Sequence, residues 1–205
     1  MTNQETYLIT PSLLNSWAYQ WNCVDYVRDT DNSDVCIEDK QEDAINKAKE
    51  DFIRVLKREP QEPNEAMKRG IEFEDACYRG ETCISPIIKD GCYQIVGKKK
   101  VCVDGINFLM YGRLDVLKGG IIYDIKRVAK YNSQKYVKSY QHGFYMDLFQ
   151  SAYKFTYLVY DGYNLFTEDY YRGQYMETTK VISQFINWLK DNNLFDLYKK
   201  YWKCV

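Results

Sequence analysis

With 205 residues, 45% of them hydrophobic, the chain is long enough for one domain with a sizeable core. Its formal net charge of −1 gives no overall reason to expect a polyanionic partner. No run of eighteen apolar residues is present and Met1-Thr-Asn-Gln-Glu5 lacks the basic and apolar regions of a signal peptide, so a soluble, cytoplasmic chain with no membrane partner is expected.

Thr10-Pro11-Ser12 reads as a helix start, with Thr10 as N-cap and Pro11 at the first helical position. Leu13, Leu14, Trp17, Trp21 and Val24 continue it at near-helical spacing to about Tyr26. The polar stretch Asp29 to Lys40 reads as an exposed loop. A second helix is predicted from about Gln41 to Arg58, on the apolar stripe of Ala44, Ile45, Ala48, Phe52, Val55 and Leu56. Pro60 and Pro63 end it, and Asn64 caps a third helix through about Arg79. Gly70 inside that helix costs roughly 1 kcal/mol relative to alanine, so a close approach of another backbone is expected there. Glu74 shares a helix face with Ile71 and Tyr78, which points it inward; the alternative is a half-exposed surface glutamate.

After a connection over 81–91, three antiparallel strands are predicted: Tyr93 to Val103, Asn107 to Leu117 and Ile121 to Val128. They turn at Asp104-Gly105 and Lys118-Gly119-Gly120. A helix from about Ser133 to Tyr153 follows, then strands Phe155 to Tyr160 and on to Tyr171 around a turn at Asp161-Gly162. Two helices close the chain, one capped by Thr178 and one over Leu194 to Trp202. The expected order is three helices, three strands, a helix, two strands and two helices.

Charge is unevenly placed. Val96 to Lys154 carries eleven Lys/Arg against four Asp/Glu, a local +7, leaving −8 elsewhere. The seven cysteines (23, 36, 77, 83, 92, 102, 204) form no C-x-x-C pair and are odd in number, so neither a zinc ribbon nor a closed disulfide framework is indicated. Within the basic block, Asp115 and Asp124 lie on adjoining strands, and Lys126 shares the face of Asp124 because side chains alternate along a strand. An Asp-x-Lys pair alone is equally a solvated strand edge. Two neighbouring carboxylates, however, are the hard oxygen ligands that Mg²⁺ or Mn²⁺ prefers. Lys126 is then placed to orient or deprotonate a water and to offset phosphate charge. Together these suggest metal-assisted phosphodiester hydrolysis.

Four segments in order resemble the PD-(D/E)xK nuclease superfamily, in its RecB-like branch: Gly70 to Glu74 (G-x-x-x-E), Gly112-Arg-Leu-Asp115 (G-x-x-D), Asp124-Ile-Lys126 (D-x-K) and Gln141 to Tyr145 (Q-x-x-x-Y). The resemblance covers about Leu8 to Tyr160. It implies an α/β, restriction-endonuclease-like core, a mixed central sheet with an antiparallel meander flanked by helices. On that reading 1–205 is a single nuclease-like domain, with its core over about 8–160 and a strand and helical addition over 161–205. It further implies an exonuclease of bacterial or phage DNA processing. Asp115 and Asp124 would bind Mg²⁺ or Mn²⁺, assisted by Ile125 through its carbonyl and by Glu74; Lys126 would be catalytic. Gln141 and Tyr145 would steady the site or contact the strand. Arg127, Lys130, Lys135 and Lys138, interleaved with tyrosines, suit a DNA-tracking surface.

Two family features are absent from the sequence. The early-helix histidine found in many relatives is missing, and His142, the single histidine, is left outside the ligand set. Only Cys204 follows the core, so no iron–sulfur cluster is expected. Sequence targeting is expected to come from a partner such as a recombination protein. The competing readings are a non-catalytic nucleic-acid-binding or inhibitor protein on a nuclease-like fold, and an interaction protein with a tyrosine-rich surface.

Overall fold

The Thr10 hydroxyl caps the first helix in a computed structural model of the chain, which describes residues 5–30 and 37–204. Its Oγ1 accepts from Leu13 N at 3.2 Å. The elements run β1 (Thr6–Ile9), α1 (Pro11–Thr30), α2 (Ile37–Leu56), α3 (Glu65–Arg79), α4 (Ser85–Ile88), β2 (Cys92–Val103), β3 (Ile106–Lys118) and β4 (Ile121–Arg127). They continue with α5 (Gln134–Val137), α6 (Gln141–Leu148), β5 (Lys154–Tyr160), β6 (Leu165–Tyr171), α7 (Thr178–Asp191) and α8 (Phe195–Trp202). This is a mixed α/β fold. Its open six-stranded sheet has the order β1-β3-β4-β5-β6, with β2 also paired to β3. β4 and β5 are parallel, whereas β3–β4 and β5–β6 are antiparallel.

The chain divides into two compact units. One comprises residues up to Pro60, Lys100–Leu109 and the chain from Thr179; the other comprises Gln61–Lys99 and Met110–Thr178. The first is held by aromatic packing. Trp17 of α1 meets Phe185 of α7 at 5.4 Å, and Phe52 of α2 meets Trp188 at 5.5 Å. Edge-to-face pairs of this kind add to the apolar area they bury. Two buried rings also satisfy their polar ends, Trp202 Nε1 donating to Leu56 O at 2.9 Å and Tyr198 OH to Leu8 O at 2.7 Å.

In the second unit the sheet has a core on each face. Toward α6, Leu114, Ile122, Phe155, Tyr157 and Val159 pack with Tyr145 and Met146. Toward α3 and α4, Val116, Ile125 and Leu158 pack with Cys77, Ile84 and Ile88. Strand β5 alternates between these two cores and is buried over Phe155 to Val159, as expected of a parallel strand covered on both faces.

Several expectations are corrected. A first strand, β1, precedes Thr10; with four residues it has too few for a readable alternation. The single helix expected over 133–153 is two. The Ser139 hydroxyl accepts from Gln141 N at 3.2 Å, taking that amide out of a continuous ladder. At the other end Arg172 donates to the carbonyls of Met146 (2.8 Å) and Ala152 (2.7 Å), satisfying the end of α6. The connection over 81–91 contains α4, with Pro86 in its first turn. Gly70 has no atom within 4 Å of where a Cβ would stand, so no close approach explains it, and Ile71 beside it is exposed. Trp21, expected on the buried stripe, is 45% exposed. Helix α1 continues through Thr30 and α2 begins at Ile37; the rest of the loop expected over 29–40, with Cys36, lies outside the described residues. The Asn64 cap holds as expected, its Oδ1 accepting from Met67 N at 2.9 Å.

Candidate active site

The site forms where β3 parts from β4. The paired register runs Lys118↔Ile121, Leu117↔Ile122 and Val116↔Tyr123, and the next positions are Asp115 and Asp124. There the Asp115 carboxylate enters the ladder itself, Oδ2 accepting from Ile125 N at 2.8 Å. The pleat also breaks at this residue. Leu114 packs in the core toward α6 and Val116 in the core toward α3, although residues two apart on a regular strand share a face. A local irregularity of this kind re-aims a side chain, and the one re-aimed here is Asp115.

Asp124 sits opposite, with its side chain only 3% exposed. Its Oδ1 accepts from Gln141 Nε2 at the start of α6. Its Oδ2 is buried without a partner of hydrogen-bonding geometry among the described residues, and Lys126 Nζ stands 2.5 Å from it as an ion pair. The Lys126 side chain is 36% exposed, so the lysine reaches from solvent to a buried carboxylate.

Tyr145, four residues after Gln141, serves the same end of the sheet. Its hydroxyl donates to Arg113 O at 2.7 Å, and its ring lies where a side chain at Gly112 would stand, Cε1 being 2.7 Å from an ideal Cβ. Gly112 is therefore required by the close approach of this ring. One turn of α6 thus holds Asp124 through Gln141 and the backbone before Asp115 through Tyr145.

Glu74 comes from α3 and is fixed by Tyr78, which the sequence puts on the same helix face, and by Gln94, which it does not single out. Tyr78 OH donates to Glu74 Oε1 at 2.5 Å, Gln94 Nε2 donates to the same oxygen at 2.6 Å, and Gln94 Nε2 lies 2.8 Å from Tyr78 OH. Both bonds converge on Oε1. Gln94 holds a positive φ of 53°, an uncommon conformation for a residue with a side chain. Tyr78 was findable as the i+4 neighbour of Glu74; nothing local marks Gln94, which lies 20 residues away.

The electrostatics follow from crowding three acids with one lysine. Burial pushes the Asp115 carboxyl up to about 6, and the charge of Asp124 adds to the effect against the opposing pull of Lys126 and the Ile125 N–H. Asp124 is raised by burial, with Glu74 adding, against Lys126 and Gln141. Burial also raises Glu74, reinforced by Asp115. Desolvation works against charge on Lys126, but Asp124 and Asp115 outweigh it and raise its pKa. The site is short of positive charge.

The remaining expected residues are spread more widely. Arg127 turns to the edge of β5, donating to Val128 O and lying 5.3 Å over the Tyr160 ring. Lys130 and Lys138 are exposed. Lys135 has its pKa lowered by desolvation and then by the charge of Lys126, which puts it in the field of the site. His142 is buried, stacked on Tyr170 at 3.9 Å, and burial holds it down to about 4. It faces this aromatic cluster.

Among the described residues no group of three or more His, Cys, Asp or Glu side chains converges to hold a metal. The donor set to be tested is therefore two carboxylates. It fits Mg²⁺ or Mn²⁺, because magnesium binds through one or two carboxylates and keeps several waters, and Asp124 Oδ2 is a buried oxygen met by Lys126 as an ion pair without hydrogen-bonding geometry.

The fold and site define a mixed α/β protein with a charged, carboxylate-rich centre at a splayed strand pair. No family model and no curated protein matches the chain. Among solved structures, the chain is similar to the crystal structure of SSO0001, with a TM-score of 0.55 and 14% identity over 92% of this chain and 79% of that one. At that identity the likeness shows the fold alone. No helix among the described residues is long and apolar enough to cross a membrane.

Proposed function

We propose that the chain is a metal-dependent nuclease of the PD-(D/E)xK type, hydrolysing DNA phosphodiester bonds at Asp115, Asp124 and Lys126. The observation that carries this reading is the placement of these three side chains at the point where β3 leaves β4, with Gln141 holding Asp124. When bound, Mg²⁺ or Mn²⁺ supplies Lewis acidity and a more acidic water. Asp115 and Asp124 would hold it, Asp115 oriented by the Ile125 N–H and Asp124 by Gln141. The Ile125 carbonyl and the Glu74 oxygen left over by Tyr78 and Gln94 are further oxygens for the ion or its waters. Lys126 is a cation in this setting, so it orients the attacking water and offsets charge gathering on the phosphate. End-dependent cleavage, that is an exonuclease, is the form proposed.

Purified protein assayed on linear double-stranded, linear single-stranded and circular DNA with Mg²⁺ or Mn²⁺ tests the reading. Cleavage is expected to depend on the metal and to fall about 10³-fold or more in Asp115→Ala and Lys126→Ala. Undiminished cleavage in both variants overturns the assignment. Binding without any cleavage leaves a nucleic-acid-binding or inhibitor protein on the same fold.

A further inference from the structure

Strands β2 and β3 turn one face to α6 and the other to solvent. On the α6 side, Lys99 Nζ donates to Asp147 O at 3.2 Å, and an ideal Cβ at Gly97 would lie 2.6 Å from Phe149 and 2.8 Å from Leu148. Gly112 faces the same way, against Tyr145. Alternation then sends Val96 and Lys98 of β2, and Tyr111 and Arg113 of β3, to the opposite face. All of these but the half-buried Tyr111 are exposed.

The turn joining the strands sets their register. Asp104 and Gly105 have φ of 50° and 74°, a two-residue hairpin turn with both central residues left-handed. Counting back from it places Lys98 across from Tyr111 and Val96 across from Arg113. The Lys98 ammonium indeed lies 5.8 Å from the centre of the Tyr111 ring. Neither Lys98 nor Arg113 forms an ion pair among the described residues. Further along the same two strands come Gln94, bonded to Glu74, and Asp115, whose carboxyl feels the charge of Arg113.

We propose that this open face of β2 and β3 is the path along which a single strand of nucleic acid enters the carboxylate site. Lys98 and Arg113 pair with successive phosphates, and Tyr111 with the exposed Val96 offers apolar surface to unpaired bases. Rows two residues apart along a strand repeat at about 7 Å, which suits the successive phosphates of an extended strand. The aromatic surface requires bases whose faces are free, which selects a single strand over a duplex. The inference rests on the nuclease reading for what lies at the end of the path. It differs from the 127–138 segment as a tracking surface, because Arg127 is occupied at the β5 edge.

The test is fluorescence anisotropy of a labelled single-stranded 20-nucleotide DNA with the full chain in EDTA, for wild type, Lys98→Glu, Arg113→Glu and Tyr111→Ala. Lys89→Glu, also exposed, controls for net charge. RNA and duplex DNA are run in parallel, and thermal melting confirms that each variant folds. Arg113→Glu and Lys98→Glu are each expected to weaken single-strand binding about 10-fold and to flatten its salt dependence by about 0.7 in log–log slope for each lost phosphate. Tyr111→Ala is expected to lose about 5- to 100-fold on single strands, the range of one stacked base, and little on duplex. Binding equal to wild type in all three variants, or losses matched by Lys89→Glu, overturns the path. So does duplex binding that exceeds single-strand binding and is weakened equally by Tyr111→Ala. A Mg²⁺ cleavage arm separates the two claims. Weakened binding in a chain that never cleaves supports the path and sinks the nuclease reading, whereas active variants with unchanged KM sink the path alone.

Discussion

The aromatic core of the first unit and the carboxylate site of the second spend their residues in opposite ways. Around Trp17, Phe52, Phe185 and Trp188 the contacts are between rings, and Trp202 at the same core turns its Nε1 to a backbone carbonyl. At Asp115, Asp124 and Glu74 three acids are desolvated around one lysine, and each is pushed toward its neutral form. The first arrangement is one that packing alone selects. The second costs stability unless a cation joins it, an imbalance that functional sites share with structural ion-pair networks.

The contrast can be broken from either side. The largest effect on stability is expected in the aromatic unit, where Phe185→Ala should cost about 3–5 kcal/mol, read by chemical denaturation. The cleavage rate per folded molecule should be unchanged. If Lys126→Ala costs as much stability as Phe185→Ala, the carboxylate centre is a structural ion cluster and the contrast fails.

A smaller effect is expected at the residues that fix Glu74. Tyr78→Phe and Gln94→Leu each remove one of the bonds on Oε1 and should lower cleavage about 10-fold, in line with the loss of an orienting hydrogen bond. Gln94→Gly should lower cleavage similarly while holding or raising the melting temperature, because glycine relieves the positive φ. A fall in melting temperature without a fall in rate would assign both residues to the fold.

The last effect concerns pH. In the folded chain burial, with the charge of Asp124, pushes the Asp115 carboxyl up to about 6 from an ordinary value of 3.8. A raised carboxyl contributes stability that is fully present below its unfolded pKa and lost as pH rises through the folded one. In EDTA the metal-free protein should therefore lose stability between about pH 4 and 6 at this residue. Asp115→Asn, which still accepts from Ile125 N, should be more stable than wild type by about 3 kcal/mol at pH 7 and nearly equal to it below pH 4. An identical pH dependence in the two proteins would remove Asp115 as the source.

Local chemistry explains which parts were legible in the sequence. Asn64, Thr10, the Asp104-Gly105 turn and the Gly119-Gly120 turn declare themselves through capping or positive φ, and the structure places each as expected. Asp115, Asp124, Lys126, Gln141 and Tyr145 were legible as an ordered set of motifs, and the structure brings all five to one end of the sheet. What could not be read depends on partners distant in the chain. The break at Ser139 is a side-chain bond competing with a helix, and the end of α6 is written by Arg172, more than 20 residues on. The twist of Asp115 out of the pleat and the hold of Gln94 on Glu74 exist only once three strands and a helix are assembled.

Titration of the metal-free chain with Mn²⁺, followed by the loss of the free-ion electron paramagnetic resonance signal, tests the central claim most directly. Wild type should take up Mn²⁺ at a site that competes with Mg²⁺, and Asp124→Asn should weaken that uptake at least 10-fold while melting at a similar temperature. Equal Mn²⁺ uptake by Asp124→Asn and wild type, or none by either, would contradict the account.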